Sequence, residues 1–519
     1  MSIASIADIV RVHGRERPTD PAIHYEGRTL TFGDLDVRSN RLANALRAAG
    51  VGAGDRVAFL EKNSPEFFEL SFAVAKLNAV TVAVNWRLTP AEVARIVNDA
   101  RARVLVVGAE LVSCVEKVEA DLETVSTIVA IGGHDRWADY EDQLRAHDAT
   151  DPGAQAQGDD VAFQLYTSGT TGLPKGAMLT NDNFFRGAIR MAGSWRVTPD
   201  AVNLAVMPMF HIAGSGWAMV GLCHGCRTVL LREVDPLRIL EVIPEFGVST
   251  ALFVPAVIRL LLGSPGVGTT DFSTLRAIVY GASPITDSVL TRAIEVFGCE
   301  FVQLYGLTET TGAVTQLDAA DHDPVNRPEL LRSCGKPYPW VEIRIVDPDT
   351  ARDVADGSVG ELWTRSPQTM KGYWADEAAT RAAITDDGWF KTGDAGYLGA
   401  DGFLFLHDRV KDMILSGGEN IYPAEIENVL NRHPDVADVA VVGVPDERWG
   451  EAVKAVVVRR QGSTVTGDEI VAFARGHLAG YKLPKSVDFA DQLPRNPSGK
   501  LLKREIRAPY WRGHERRIG

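Results

Sequence analysis

Thr167-Ser-Gly-Thr-Thr-Gly-Leu-Pro-Lys-Gly176 is the stretch on which the reading of this chain turns. It sets Thr167, Ser168, Thr170 and Thr171 around Gly169 and Gly172, then closes on Pro174, Lys175 and Gly176. A strand-like run, Val161 to Tyr166, precedes it, and Asn181 and Asn183 beyond it suit the start of a helix. Glycines let a backbone approach a ligand closely, amides and hydroxyls donate hydrogen bonds, and a lysine adds charge. A strand that empties into such residues is built to hold phosphate. The Gly-x-x-x-x-Gly-Lys-Ser/Thr spacing of a Walker loop cannot be read in it.

The totals bound what such a loop can belong to. At 519 residues the chain exceeds one ordinary core, and its apolar and charged fractions, 45% and 24%, are those of a globular protein. The formal charge of −14 argues against nucleic acid as a partner, which would require a basic footprint. Only the end is basic: Arg495, Lys500, Lys503, Arg504, Arg507, Arg512, Arg516 and Arg517 face Glu505 and Glu515. Such a cluster fits a solvated tail or contact with a polyanion, including the phosphates of a nucleotide or an anionic membrane surface. Cys114, Cys223, Cys226, Cys299 and Cys334 form no disulfide framework, and Cys223-His-Gly-Cys226 lacks the second pair of a metal site. With no signal peptide or membrane span in view, a cytoplasmic location is expected, and a homo-oligomer stays open.

Organisation follows from alternation. Ala22–Tyr25 and Thr29–Phe32 flank a hairpin turn at Glu26-Gly27, and Thr31 with Asp34 opens a helix carrying Leu35, Leu42, Ala45 and Leu46 on one face. Strands at 57–60, 80–84 and 104–107 alternate with helices opened by Ser64-Pro65 and by Thr89-Pro90 with Glu92. The same order returns between 201 and 298, so two α/β sub-domains built on parallel sheets are expected. From about 333 to 408 short glycine-rich strands predict a small antiparallel barrel or sheet. The remainder predicts a small α+β domain, with helices after Pro423 and from Thr466.

Four further stretches bear reactive side chains. Gln303 to Thr310 offers Tyr305, Gly306, Thr308 and Glu309; Trp389 to Gly396 presents Asp394 in a glycine turn. His407 to Asp412 is dense in charge, and Asn496-Pro-Ser-Gly-Lys500 sets a lysine after a turn. With the phosphate loop they read as one nucleotide site: Tyr305 stacks on a base, Asp394 accepts ribose hydroxyls and Glu309 holds Mg²⁺.

These residues carry a resemblance. The chain resembles the adenylate-forming superfamily of acyl-CoA synthetases, luciferases and peptide-synthetase adenylation domains over nearly its whole length, and is most similar to bacterial fatty-acyl-CoA ligases. The resemblance implies an α/β fold: a large N-terminal domain, 1–408, of two α/β sub-domains plus a small β-barrel, a hinge at 409–411, and a small mobile α+β domain, 412–519. It implies that Thr167, Ser168, Gly169, Thr170, Thr171, Gly172 and Lys175 grip the β- and γ-phosphates of ATP. Gly281, Ala282 and Ser283 would line adenine, Tyr305 would stack on it, Gly306 would belong to the same nucleotide-binding set, and Thr308 would touch the α-phosphate. Glu309, with Thr167, would hold Mg²⁺; Asp394 and Arg409 would hold the ribose; Lys500 would bridge the acyl carboxylate and the α-phosphate. Lys411 sits at the hinge position, and Gly417, Gly418, Trp449 and Gly450 would line a channel for the thiol of coenzyme A. His211, in Pro-Met-Phe-His-Ile-Ala-Gly, matches a motif bordering the acyl pocket, although a strand-end core histidine is the bland reading. A gating tryptophan found in some long-chain members would fall at Ser215, with Trp217 two residues on. The implied activity is an ATP-dependent carboxylic acid:CoA ligase for medium- to long-chain fatty acids. Aryl or alicyclic acids, transfer to a carrier protein, and a non-catalytic nucleotide-binding homologue are the alternatives.

Overall fold

The computed structural model describes residues 3–168, 174–348, 350–409, 412–416, 419–446, 448–495 and 501–512. It divides into two compact units. The larger comprises Met1–Leu331, Pro337–Glu342 and Arg365–Phe390; the smaller comprises Arg332–Lys336, Ile343–Thr364 and Lys391–Gly519.

Strands of the larger unit up to residue 317 are β1 (Pro21–Tyr25), β2 (Arg28–Thr31), β3 (Arg56–Leu60), β4 (Val80–Ala83), β5 (Ala102–Gly108), β6 (Thr127–Ile131), β7 (Ala138–Asp139) and β8 (Val161–Ser168). There follow β9 (Pro174–Thr180), β10 (Val202–Ala205), β11 (Arg227–Leu230), β12 (Thr250–Phe253), β13 (Ala277–Gly281), β14 (Glu300–Leu307) and β15 (Gly312–Leu317). One sheet runs β15-β14-β13-β12-β10-β11-β1-β2, parallel from β14 to β1. An eight-stranded sheet runs from Gly372–Tyr373 through β9-β8-β4-β3-β5-β6-β7, parallel from β8 to β7.

Both sheets are buried on two faces, and the period of two shows how. Val57 and Phe59 of β3 enter a core that also takes Ile23 of β1, Ala205 of β10 and residues of the helices Ile6–Glu16, Phe32–Ala48, Pro65–Ala75 and Ile212–Cys223. Ala58 and Leu60 point the other way, into a cluster with Val93 and Val97. The far face of the other sheet packs on Ile239, Ile243, Ile258 and Leu290. Capping boxes start the predicted helices at Thr31/Asp34 and Thr89/Glu92, whereas Ser64 makes no side-chain cap bond.

Two local readings are corrected. The phosphate stretch does not pass directly from strand to helix, because Pro174–Thr180 is a strand paired antiparallel with β8. The helix entry read at Asn181 and Asn183 is present: Thr180 caps the short helix Asn181–Phe185, its hydroxyl accepting from the Asn183 N–H while the Asn183 side chain accepts from the Thr180 N–H. His211 does not end a strand: it is the N-cap residue of the helix Ile212–Cys223.

In the smaller unit, Glu342–Val346, Gly360–Arg365, Phe390–Leu398 and Leu404–Arg409 form the four-stranded sheet of the segment read as a barrel or sheet. A second sheet joins Glu419–Ile421, Ile414–Ser416, Gly450–Arg459, Val436–Asp446 and Ser486–Phe489. The helices Pro423–Leu430 and Gly467–Arg475 pack Ile426, Leu430, Ile470 and Ala474 against Val439, Val441, Val453 and Val457 in its core.

Candidate active site

In the larger unit the predicted residues gather where parallel strands end, the usual ligand edge of an open α/β sheet. Thr167 lies near the C-terminal end of β8, and register places Lys175 of β9 opposite it. The chain turns out of β14 through a short 3₁₀ turn, Thr308–Thr310, which carries Glu309. The Thr310 hydroxyl closes that turn by accepting the Leu307 N–H at 2.8 Å. The Thr167 hydroxyl donates to Glu309 Oε1 at 3.2 Å. So two motifs 142 residues apart in sequence meet in one hydrogen bond.

The sequence reading missed the third member of this cluster. Tyr373 donates its hydroxyl to the same Glu309 Oε1 at 3.0 Å, and the Lys175 ammonium lies 5.2 Å from its ring centroid. No donor-dense run surrounds Tyr373, so the only local signal was a glycine before two aromatics. A single carboxylate suits Mg²⁺, which takes one or two carboxylates and obtains its remaining oxygens from phosphates and water. Among the described residues no group of three or more His, Cys, Asp or Glu could hold a metal. Glu309 and Thr167, both hard oxygen donors, therefore fit a cation that arrives with a nucleotide.

Gly281 ends β13, and a Cβ there would stand 2.1 Å from the Leu304 carbonyl oxygen on β14, so only glycine permits that approach. Ala282 follows in the left-handed region with φ 68, and Ser283 is half-buried beside it. Tyr305, on β14, is 9% exposed, so its ring is largely covered. Gly306 meets the same limit as Gly281, its Cβ position lying 1.9 Å from the Gly312 carbonyl oxygen.

His211 has its Nε2 shut away from solvent with no hydrogen-bond partner. Burial, and secondarily the charge of Arg87, lowers its pKa from 6.5 to about 4. The imidazole is therefore neutral at ordinary pH, with one ring nitrogen left for a ligand. Its carbonyl accepts the Ser215 hydroxyl at 3.0 Å, while Trp217 donates its indole N–H to Leu204 O at 3.1 Å. Trp217 is thus a core residue 4% exposed, committed to the sheet rather than to a gate. Cys223 and Cys226 are thiols raised to about 12 by burial, in keeping with buried small residues.

In the smaller unit Asp394 is 8% exposed and stands opposite Arg409 in the pairing of Phe390–Leu398 with Leu404–Arg409. Its N–H donates to the Thr392 hydroxyl, which in turn donates to the Leu362 carbonyl. Trp449 is exposed, with the Arg448 guanidinium 4.6 Å over its ring, and Gly450 opens its strand with φ 80. Gly169, Thr170, Thr171, Gly172, Lys411, Gly417, Gly418 and Lys500 lie outside the described residues, as do the side chains of Ser168 and Arg409.

The basic C-terminal stretch is less open than its charge suggested. Arg495 pairs with Asp438 at 2.6 Å, Lys503 with Glu427 at 3.1 Å and Arg507 with Asp412 at 3.5 Å. Arg504 and Arg512 are exposed.

The profile of the AMP-binding enzymes matches residues 10–374, and that of the AMP-binding enzyme C-terminal domain matches residues 425–500. The chain belongs to the AMP-binding enzymes, the adenylate-forming superfamily. It is 43% identical to the fatty acid–[acyl-carrier-protein] ligase ScoC of Streptomyces coeruleorubidus, across 99% of this chain and 98% of the relative. A feruloyl-CoA synthase of Amycolatopsis sp is 38% identical across 96% of this chain and 97% of its own. Among solved structures, ATP-bound MatB from Rhodopseudomonas palustris superposes with a TM-score of 0.89 at 30% identity, covering 98% of this chain and 100% of MatB. As an AMP-binding enzyme the chain has the mixed α/β architecture of its relatives, with a large N-terminal and a small C-terminal domain. No helix among the described residues is long and apolar enough to cross a membrane.

Proposed function

We propose that this AMP-binding enzyme is an ATP-dependent carboxylic acid:CoA ligase acting on medium- to long-chain fatty acids. In the first step an acid oxygen attacks the α-phosphorus of ATP, the bond to the β-phosphate oxygen breaks, and pyrophosphate leaves. In the second, the thiol attacks the acyl carbonyl and AMP leaves. The observation that carries the reading is the meeting of Thr167, Glu309 and Tyr373 beside Lys175, a cluster of hard oxygens and one ammonium suited to a metal-bound polyphosphate. The ATP-bound relative of the same fold supports the nucleotide.

In this reading Thr167 to Lys175 hold the departing pyrophosphate, and Gly281 to Ser283, Tyr305 and Gly306 take the base. Thr308 contacts the α-phosphate, and Asp394 with Arg409 take the ribose hydroxyls. Glu309 and Thr167 would hold Mg²⁺, which supplies charge neutralisation at the phosphates when bound. Lys500 offsets the repulsion between the acid and the α-phosphate, and alignment of the attacking oxygen supplies the rest of the rate. His211, neutral and with Nε2 unpartnered, serves as a hydrogen-bonding group at the acyl end rather than as a proton store. Residues 409–411 form a hinge between domains 1–408 and 412–519, and Gly417, Gly418, Trp449 and Gly450 line the thiol path once Lys500 withdraws.

A second reading, transfer to a carrier protein, is favoured by one observation, the 43% identity to a ligase of that kind. Exchange of labelled pyrophosphate into ATP tests the first step across fatty acids of graded length and aromatic acids. Acid-dependent exchange peaking with a fatty acid is expected; no exchange with any acid would overturn the enzyme reading. Thioester formation with CoA and with a phosphopantetheinylated carrier protein then separates the two acceptors.

A further inference from the structure

We propose that Tyr373 is the positioning residue that sets the metal-binding carboxylate and the phosphate-binding lysine together, through two different parts of one side chain. The inference rests on the reading of Glu309 as a Mg²⁺ ligand. Its hydroxyl donates to Glu309 Oε1 at 3.0 Å, beside the 3.2 Å bond from Thr167, while its ring lies 5.2 Å under the Lys175 ammonium. Both bonds fall on Oε1, so the carboxylate is fixed by one oxygen and the other, Oε2, accepts nothing from the described residues. A carboxylate held this way presents a single free oxygen in one direction, which is what a cation with strict octahedral geometry requires.

The backbone around Tyr373 explains how the tyrosine keeps its place. Met370 N–H donates to the Glu309 carbonyl at 2.7 Å, and Lys371 N–H donates to Met178 O of β9 at 2.9 Å. Trp374 N–H donates to Gly176 O at 2.8 Å, and Tyr373 N–H donates to the Thr380 hydroxyl at 2.9 Å. The Trp374 ring in turn lies against the Arg56 guanidinium, 3.3 Å from its centroid, and gives its indole N–H to Asp99 O at 2.9 Å. The segment 370–374 thus ties the turn that bears Glu309 to the strand that bears Lys175. The hydroxyl serves the carboxylate and the ring serves the ammonium, so the two duties separate by substitution.

Tyr373→Phe keeps the ring and removes the hydroxyl; Tyr373→Leu removes both. Manganese binding in the presence of ATP, without acid, is read by electron paramagnetic resonance, so no turnover is involved. The Phe variant should bind manganese about 10-fold more weakly, the lower end for loss of an outer partner of a metal ligand. Its KM for ATP at saturating metal should stay within about twofold, whereas the Leu variant should raise that KM a further several-fold, about the loss of a modest cation–π contact. Both should convert supplied acyl adenylate to thioester at the parental rate and melt within a few degrees of the parent. Unchanged manganese binding in Tyr373→Phe, with binding weakened in Glu309→Gln, would overturn the proposal alone. Unchanged binding in Glu309→Gln would overturn the metal reading beneath it. Equal loss of metal binding and thioester formation in Tyr373→Phe would make the residue merely structural.

Discussion

Two stretches bear the lysines of the proposed first step, and the described residues beside them are held in different ways. β8 and β9 pair from Val161↔Thr180 to Ser168↔Pro174 inside an eight-stranded sheet, and backbone bonds from residues 370–374 secure the outer strand. On either side of Lys500, Arg495 bridges Leu501, and Leu502 N–H donates to Pro494 O at 2.9 Å. The chain beyond that bridge is fastened by side chains. Arg495, Lys503 and Arg507 pair with Asp438, Glu427 and Asp412; Tyr510 donates to Asp488 at 2.5 Å; Trp511 donates to Gly443 O at 2.9 Å; Ile506 is buried beside Ala440 and Val442. Arg495–Asp438, with side chains 34% and 24% exposed, is a surface-like pair worth about 0–1 kcal/mol, whereas the Lys503–Glu427 and Arg507–Asp412 side chains are only 10–15% exposed and give up solvation to pair. Backbone pairing suits the role proposed for Lys175, a group that holds the nucleotide in place. Side-chain fastening within the smaller unit is what the proposed hinge asks of a segment that would travel with that unit.

The largest test of that contrast compares the two lysines. Lys500→Ala should lower adenylation by roughly 10²–10³-fold, the scale of one preorganised charge-stabilising contact, while supplied acyl adenylate still becomes thioester. Equal loss in both half-reactions would erase the distinction. Lys411→Pro, which fixes φ near about −65°, should spare pyrophosphate exchange and slow thioester formation on the order of 10²-fold, the scale of a misplaced reacting group. Unaltered thioester formation would contradict a hinge. Truncation after Arg507 removes Tyr510 and Trp511 and should lower adenylation about 10-fold, short of the loss of Lys500 itself. A raised KM for CoA with normal adenylation would instead return the tail to a role in binding polyanions. Lys175→Ala should act on binding, raising the KM for ATP about fivefold with little change in kcat.

The gentlest test concerns His211. Its folded pKa of about 4 lies below the unfolded value near 6.5, so the unfolded chain binds the extra proton first. Its contribution is complete above pH 6.5 and is lost as pH falls toward 4, roughly 3 kcal/mol in all. His211→Asn should flatten the fall of urea-unfolding free energy between those limits; parallel curves would contradict the burial argument.

What could be read beforehand was local or periodic. Thr31/Asp34 and Thr89/Glu92 announced helices because a cap and its partner lie three residues apart. Strands such as Val57–Leu60 showed because two buried faces demand an apolar run. β9 was hidden, since Pro174-Lys-Gly176 reads as a turn until β8 supplies a partner. Thr167 and Glu309 were placed in one cluster by the residue types that phosphate chemistry needs. Tyr373 was not, because its partner lies 64 positions away and nothing near it resembles a phosphate site. The pairing of Lys503 with Glu427 escaped for the same reason: charge alone does not say which opposite charge the fold will bring to it.

The eight-stranded sheet ends on both sides in strands two residues long, Gly372–Tyr373 and Ala138–Asp139. A long open edge offers a row of unsatisfied amides and carbonyls to any passing chain, and so seeds association. Here Lys371 and Trp374 occupy carbonyls on the outer side of β9 just beyond the two paired residues, and Pro174 has no N–H to offer. The segment that steadies a carboxylate thereby also shields the sheet from templating a second copy of itself.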